Sequence, residues 1–92
     1  MSYETLRLAI RKKSQVSATY TGKTRRLCPH VLGTKEGVAH VLAYQVTYPK
    51  GWKCMVVSKL SNVSLCAGAW ETGTHGGYQR DQKCVDYVEA SV

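Results

Sequence analysis

Negative charge is scarce in this chain: six acidic residues stand against thirteen basic ones. The acids are few and mostly near the C-terminal end, so no carboxylate pair is available for general acid and base work. The sequence also lacks G-x-S-x-G and a phosphate loop. The glycine run GTHGG, 73–77, has no helix after it to present amide donors to a phosphate. Together these absences argue against an enzyme. No apolar run nears the roughly 20 residues of a membrane span. The opening MSYETLRLAIRKKS carries charge through its apolar positions, unlike a secretion signal. The expectation is a cytoplasmic protein with no membrane partner. Four cysteines, at 28, 54, 66 and 84, contain no C-x₂-C pair. Without a secretion signal they are expected as reduced, mostly buried thiols.

What the chain does have is positive charge, unevenly placed. Residues 1–30 hold seven of the thirteen basic residues and one acid. A basic half on a small domain favours anionic partners, nucleic acid or nucleotides among them, although net charge alone is also a solubility device. Ninety-two residues make one domain with one small core.

Periodicity divides the chain. Tyr3, Leu6, Ala9 and Ile10 fall on one face of a helix over about 3–13, with Ser2 placed to cap it and Arg7, Arg11, Lys12 and Lys13 on its other faces. From Gln15 the period becomes two, and strands are expected at 15–20, 24–33, 38–46, 52–57 and 63–66. TGK and TKEG mark the first two turns. SKLSN, 58–62, is a short polar turn with room for one 3₁₀ turn. A glycine-rich loop follows over 67–80, and a final strand over about 84–91. One helix and five or six short strands with tight turns predict a mainly β domain, a small bent barrel with the helix against it.

The segments LRLAIRKKSQVSATYTGKTRRLCPHVLG, VAHVLAYQ and WKCMVVSKLSNVSL together resemble the WYL domain family, in particular its short stand-alone bacterial members. The likeness covers roughly residues 5–66. Its pieces are the helix with a basic end, Tyr20 closing strand one, Arg26-x-x-Pro29, Leu42-Ala43-Tyr44 and Lys53-Cys54-Met55. The tail with Trp70, Gly73, His75 and Cys84-Val85-Asp86 is similar too. Ala39-His40-Val41 stands where the family carries its naming tripeptide, and Lys53 where it usually has arginine. The resemblance implies an Sm-like barrel and a non-enzymatic, ligand-sensing domain in transcription regulation. It implies a nucleic acid or nucleotide-type effector bound on a basic face, with action either direct or through a separate DNA-binding protein.

TRRLCPHVLG, 24–33, is the most chemically loaded strand. Strict alternation puts Arg26, Cys28, His30 and Leu32 on one face, and Arg25, Leu27, Pro29 and Val31 on the other. Pro29 marks a bend or bulge. Arg26 and His30 then project together, about 13 Å apart along an unbent strand. With Tyr20 as a stacking surface and Lys53 nearby, they would form an anion-recognising patch. Arg25 adds charge beside them, and Arg7, Arg11 and Lys12 on the helix would add non-specific phosphate contacts. The plain alternative is that Arg25 and Arg26 are solvated edge charges and Tyr20 is core.

Two other readings compete. Cys28, Cys54, His75 and Cys84 make a Cys₃His zinc set on paper, against which stands the lack of close ligand pairs, so no metal or other cofactor is expected. A small barrel can also serve as a protein-interaction module or homo-oligomer, zinc-stabilised or not. A cysteine nucleophile would need Cys28 or Cys84 beside His75. His40 is expected as a hydrogen-bonded core or rim residue, and Trp52 and Trp70 as packing residues.

Overall fold

A computed structural model describes residues 2–71 and 83–92. The helix α1 (Ser2–Lys12) comes first, then β1 (Gln15–Tyr20), β2 (Lys23–Lys35), β3 (Val38–Gln45) and β4 (Gly51–Val56). A 3₁₀ turn (Val57–Lys59) leads into β5 (Leu60–Cys66), and β6 (Tyr87–Ser91) closes the chain. The protein is mainly β, with one N-terminal helix and a six-stranded antiparallel sheet.

Local chemistry explains the elements. The helix buries Leu6, Ala9 and Ile10, three of the four residues the 3.6-residue period selects, and Tyr3 packs at the edge of the same cluster. Ser2 is already helical, not a cap outside the helix. At the other end Lys13 takes a left-handed φ of 52°, and the amides of Lys13 and Ser14 donate to the carbonyls of Ile10 and Ala9 at 3.2 and 2.9 Å. That is the paired-carbonyl closure that ends helices. The β1–β2 and β2–β3 hairpins use two-residue turns, Thr21-Gly22 and Glu36-Gly37, with all four φ angles between 52° and 81°. Turns of that kind match the twist of the strands they join, and glycine reaches positive φ without steric cost.

The strands run in the order β4-β3-β2-β1-β5, and β6 lies beside the far half of β2. Among the described residues no ladder joins β4 to β5, so the sheet is not closed into a barrel. Along the chain the 3₁₀ turn joins its two ends.

The sheet is covered on both faces. On the helix side, Leu6, Ala9 and Ile10 meet Val16, Leu27, Leu32, Val41 and Met55 in the larger cluster. On the other, Val31, Leu42, Cys84 and Val85 form a smaller one beneath Trp52. The β2–β3 register shifts between Pro29 and Val31. This bulge corrects the strict alternation expected for strand two. Arg26, Cys28 and His30 share a face, but beyond the bulge Leu32 turns to the helix side and Val31 to the opposite side.

A disulfide joins Cys54 to Cys84. This corrects the expectation of reduced thiols for these two, while Cys28 and Cys66 are free. The same bond takes up two members of the expected zinc set. Cys54 and Cys84 are bonded to each other, and His75 lies outside the described residues, as does the rest of 72–82. Among the described residues no three His, Cys, Asp or Glu side chains gather as metal ligands. No described helix is long and apolar enough to cross a membrane.

Candidate anion-binding site

Three cations converge where the β1–β2 hairpin meets the loop between β3 and β4. Lys23 and Arg25 come from β2 and Lys53 from β4. They line a pocket of about 310 Å³ together with Thr24, Gln45 and the loop residues Thr47, Tyr48 and Pro49. The register explains the meeting. Arg25 lies across from Ala18, Leu27 across from Gln45, and Ala43 across from Lys53, so all these side chains point to the helix-side face at its open end.

Arg25 is held in place rather than solvated. Its Nη1 donates to Gln45 Oε1 at 3.0 Å and its Nη2 to Thr21 Oγ1 at 2.9 Å. The guanidinium also lies over the Tyr20 ring, 5.3 Å from its centroid. Its Nε is buried and has no hydrogen-bond partner among the described residues. Gln45 is only 3% exposed, and its Nε2 donates to the carbonyls of Thr47 and Pro49 at 3.2 and 3.0 Å. One buried amide thus orients the guanidinium with one end and the β3–β4 loop with the other. Ion pairs among the described residues join Arg7 to Glu4 and Glu89, and Lys50 to Glu71. None reaches Lys23, Arg25 or Lys53. A partly enclosed positive site of this kind, unpaired among the described residues, attracts anions, with the guanidinium suited to phosphate oxygens.

The expected patch is therefore redrawn. Tyr20, Arg25 and Lys53 belong to this region. Tyr20 packs against the core and is covered by Arg25, so it supports the guanidinium instead of offering a stacking face. Arg26 points to the opposite face, where its Nη1 donates to the Ala67 carbonyl at 3.2 Å. There it works with Gln15, which donates to Ala69, and with Cys28, whose sulfur accepts the Glu71 amide, to lay segment 67–71 across the sheet. His30 is fully buried. Its ring packs 4.8 Å from both Trp52 and Trp70, which makes packing residues of the two tryptophans. Arg26 and His30 share a face, but His30 cannot grip a solvent-borne ligand. On the helix, Arg7 is engaged by Glu4 and Glu89, while Arg11 and Lys12 remain exposed in the last turn. His40, half-buried, donates from Nδ1 to the Val38 carbonyl at 2.8 Å. Lys23, Gln45, Thr47 and Tyr48 carry no signal of their own in the sequence. Only strand pairing sets them around Arg25.

The buried pair Cys28 and His30 has its own electrostatics. Burial pushes the Cys28 thiol up, the reverse of what a nucleophile needs. Burial likewise pulls the His30 pKa down, against a smaller upward pull from its bond to the Cys28 carbonyl at 2.7 Å. A carbonyl only accepts, so Nδ1 carries the proton of the neutral ring. The unfolded chain then takes up a proton near the ordinary value of about 6.5, before the folded one does. Stability is full above that pH and falls as pH drops from it toward the folded-state pKa. Melting temperatures should decline between neutrality and mild acid, and much less so in His30→Gln.

Searches of this chain against protein-family models, curated proteins and solved structures find no match.

Proposed function

We propose that this protein is a non-catalytic regulatory domain that binds a phosphate-bearing anion, nucleic acid or a nucleotide-type effector, in the pocket of Lys23, Arg25 and Lys53. The observation that carries the reading is the convergence of three cations on one pocket, with no carboxylate partner among the described residues and one of the three pre-oriented by a buried glutamine. Pre-orientation lowers the ordering cost of binding. In this reading the curled sheet is an Sm-like small barrel of the WYL type. Its support is the helix followed by strands in the path β4-β3-β2-β1-β5, a long β2 with a bulge, and a single 3₁₀ turn between the two ends.

The test is fluorescence anisotropy with a labelled oligonucleotide across a salt series. Arg25→Ala should weaken binding about tenfold or more, the scale of one charge-assisted hydrogen bond. It should also flatten the log–log salt slope by about 0.7 for each single-strand phosphate that is no longer neutralised. Lys53→Ala should act the same way without disturbing Gln45. Arg26→Ala should leave the slope unchanged. Equal affinity and slope in Arg25→Ala, Lys53→Ala and the wild type would refute the site.

A further inference from the structure

Resting on that anion-binding reading, we infer that the pocket takes an unpaired nucleotide, its phosphate among Lys23, Arg25 and Lys53 and its base stacked on Tyr48. Tyr48 is 92% exposed, the most exposed of the large apolar side chains described. An aromatic ring left that bare ordinarily sits on a loose loop. This one does not. Gln45 holds the carbonyls on both sides of it, those of Thr47 and Pro49. The Thr47 hydroxyl accepts the Arg26 amide at 2.7 Å, and the Val46 amide donates to the Arg26 carbonyl at 2.9 Å. The backbone carrying Tyr48 is therefore pinned to β2 and β3 while its ring stands in solvent at the pocket rim. A ring presented on an anchored backbone is a prepared surface, because binding orders little that is not already ordered.

The partner chemistry follows from what lies within one pocket. Three cations favour phosphate; a free aromatic face favours a flat ring. A nucleotide carries both in one unit. The volume of about 310 Å³ is at the small end of the roughly 300–1,000 Å³ typical of ligand pockets, enough for one such unit and not for several. In a duplex the base faces are already stacked and only edges show, so Tyr48 would find no surface there. Bare phosphate and acidic peptides would use the cations and leave the ring idle. Stacking on an aromatic side chain tolerates any base, so the site should select unpaired strands with little sequence preference.

The test compares Tyr48→Ala and Tyr48→Phe with the wild type, using labelled single-stranded oligothymidylate. The same strand in a duplex, free thymidine monophosphate and inorganic polyphosphate serve as competitors. Tyr48→Ala should weaken single-strand binding about 5- to 150-fold. Its salt slope should stay unchanged, since all three cations remain. Tyr48→Phe should keep the affinity. Polyphosphate should compete equally well against wild type and Tyr48→Ala, and duplex should compete poorly. Competition by the free nucleotide at stoichiometric levels would assign the site to a soluble effector, and competition only in large excess would assign it to a strand; either supports the inference. Wild-type affinity in Tyr48→Ala, with binding still weakened by Lys53→Ala, would overturn the base platform and leave the anion site standing. Binding insensitive to Tyr48, Arg25 and Lys53 alike would overturn both.

Discussion

The double variant Cys54→Ser/Cys84→Ser should unfold about 12–30 °C below the oxidised wild type, and reduction of the wild type should reproduce most of that fall. The bond spans 30 residues of chain. Closing a loop of that length in the unfolded ensemble is worth about 3–4 kcal/mol in the chain-entropy account. For a domain of this size each kcal/mol moves the midpoint by roughly 4–8 °C. Total stability at 92 residues is about 5–14 kcal/mol, so the loss is a large fraction of it. The structural reason is equally specific. Cys54 lies on β4 across from Leu42, on the face away from the cation pocket, and Cys84 is buried beside Val85, Val31 and Leu42. The bond straps the C-terminal segment over this small cluster. Because strap and pocket lie on opposite faces, anion affinity measured well below the variant's midpoint should change little. Identical melting of oxidised and reduced protein would show that the strap contributes nothing to stability.

The disulfide also shows where the sequence stops being legible. Cys54 and Cys84 carry no local signature of pairing. Their meeting depends on the tail crossing the sheet, and nothing in CVDYVEASV states which strand it will join. By contrast β1 reads directly from QVSATY, because alternation on one face and a Thr-Gly turn are local facts. The helix reads from Leu6, Ala9 and Ile10 for the same reason. The candidate site is half legible. Charge and strand position single out Arg25 and Lys53, and Tyr20 beside them. The preference for Arg26 and His30 rests on alternation, which does put them on one face, but alternation does not say that the face is covered by segment 67–71 and Trp52. Pro29 announces that some irregularity must occur, but not that His30 would be sealed between Trp52 and Trp70. That depends on Trp70, forty residues away, being laid down by Arg26, Gln15 and Cys28. Tyr48 is illegible as a platform because its exposure is decided by Gln45 gripping the loop from beneath.

Gly33→Ala should detach the C-terminal strand. Gly33 sits opposite His40 on one side and Val88 on the other, where the β2–β6 register shifts. A methyl group built there meets the Tyr87 carbonyl oxygen, and Val85 Cγ1 at 2.6 Å. A side-chain tip could move aside, but the carbonyl is backbone and is fixed by its neighbours. Asp86 donates its amide to the Thr34 carbonyl at 2.9 Å, and Val92 donates to His30 at 2.9 Å. Relief therefore requires residues 85–91 to lift as a unit. The expected cost is about 3 kcal/mol, the upper part of the range for overpacking. Amide exchange should rise sharply across Tyr87–Ser91 while β1, β2 and β3 stay protected. The change should couple to the strap, since Cys84 holds the start of this segment. Once Gly33→Ala has freed residues 85–91, the segment has less native structure for the disulfide to restrain. The triple variant with Cys54→Ser/Cys84→Ser should then be destabilised by less than the sum of the separate effects. Full additivity with unchanged exchange in β6 would show that Gly33 and the strap act on different parts of the molecule, and that the tail does not cross β2 where the structure places it.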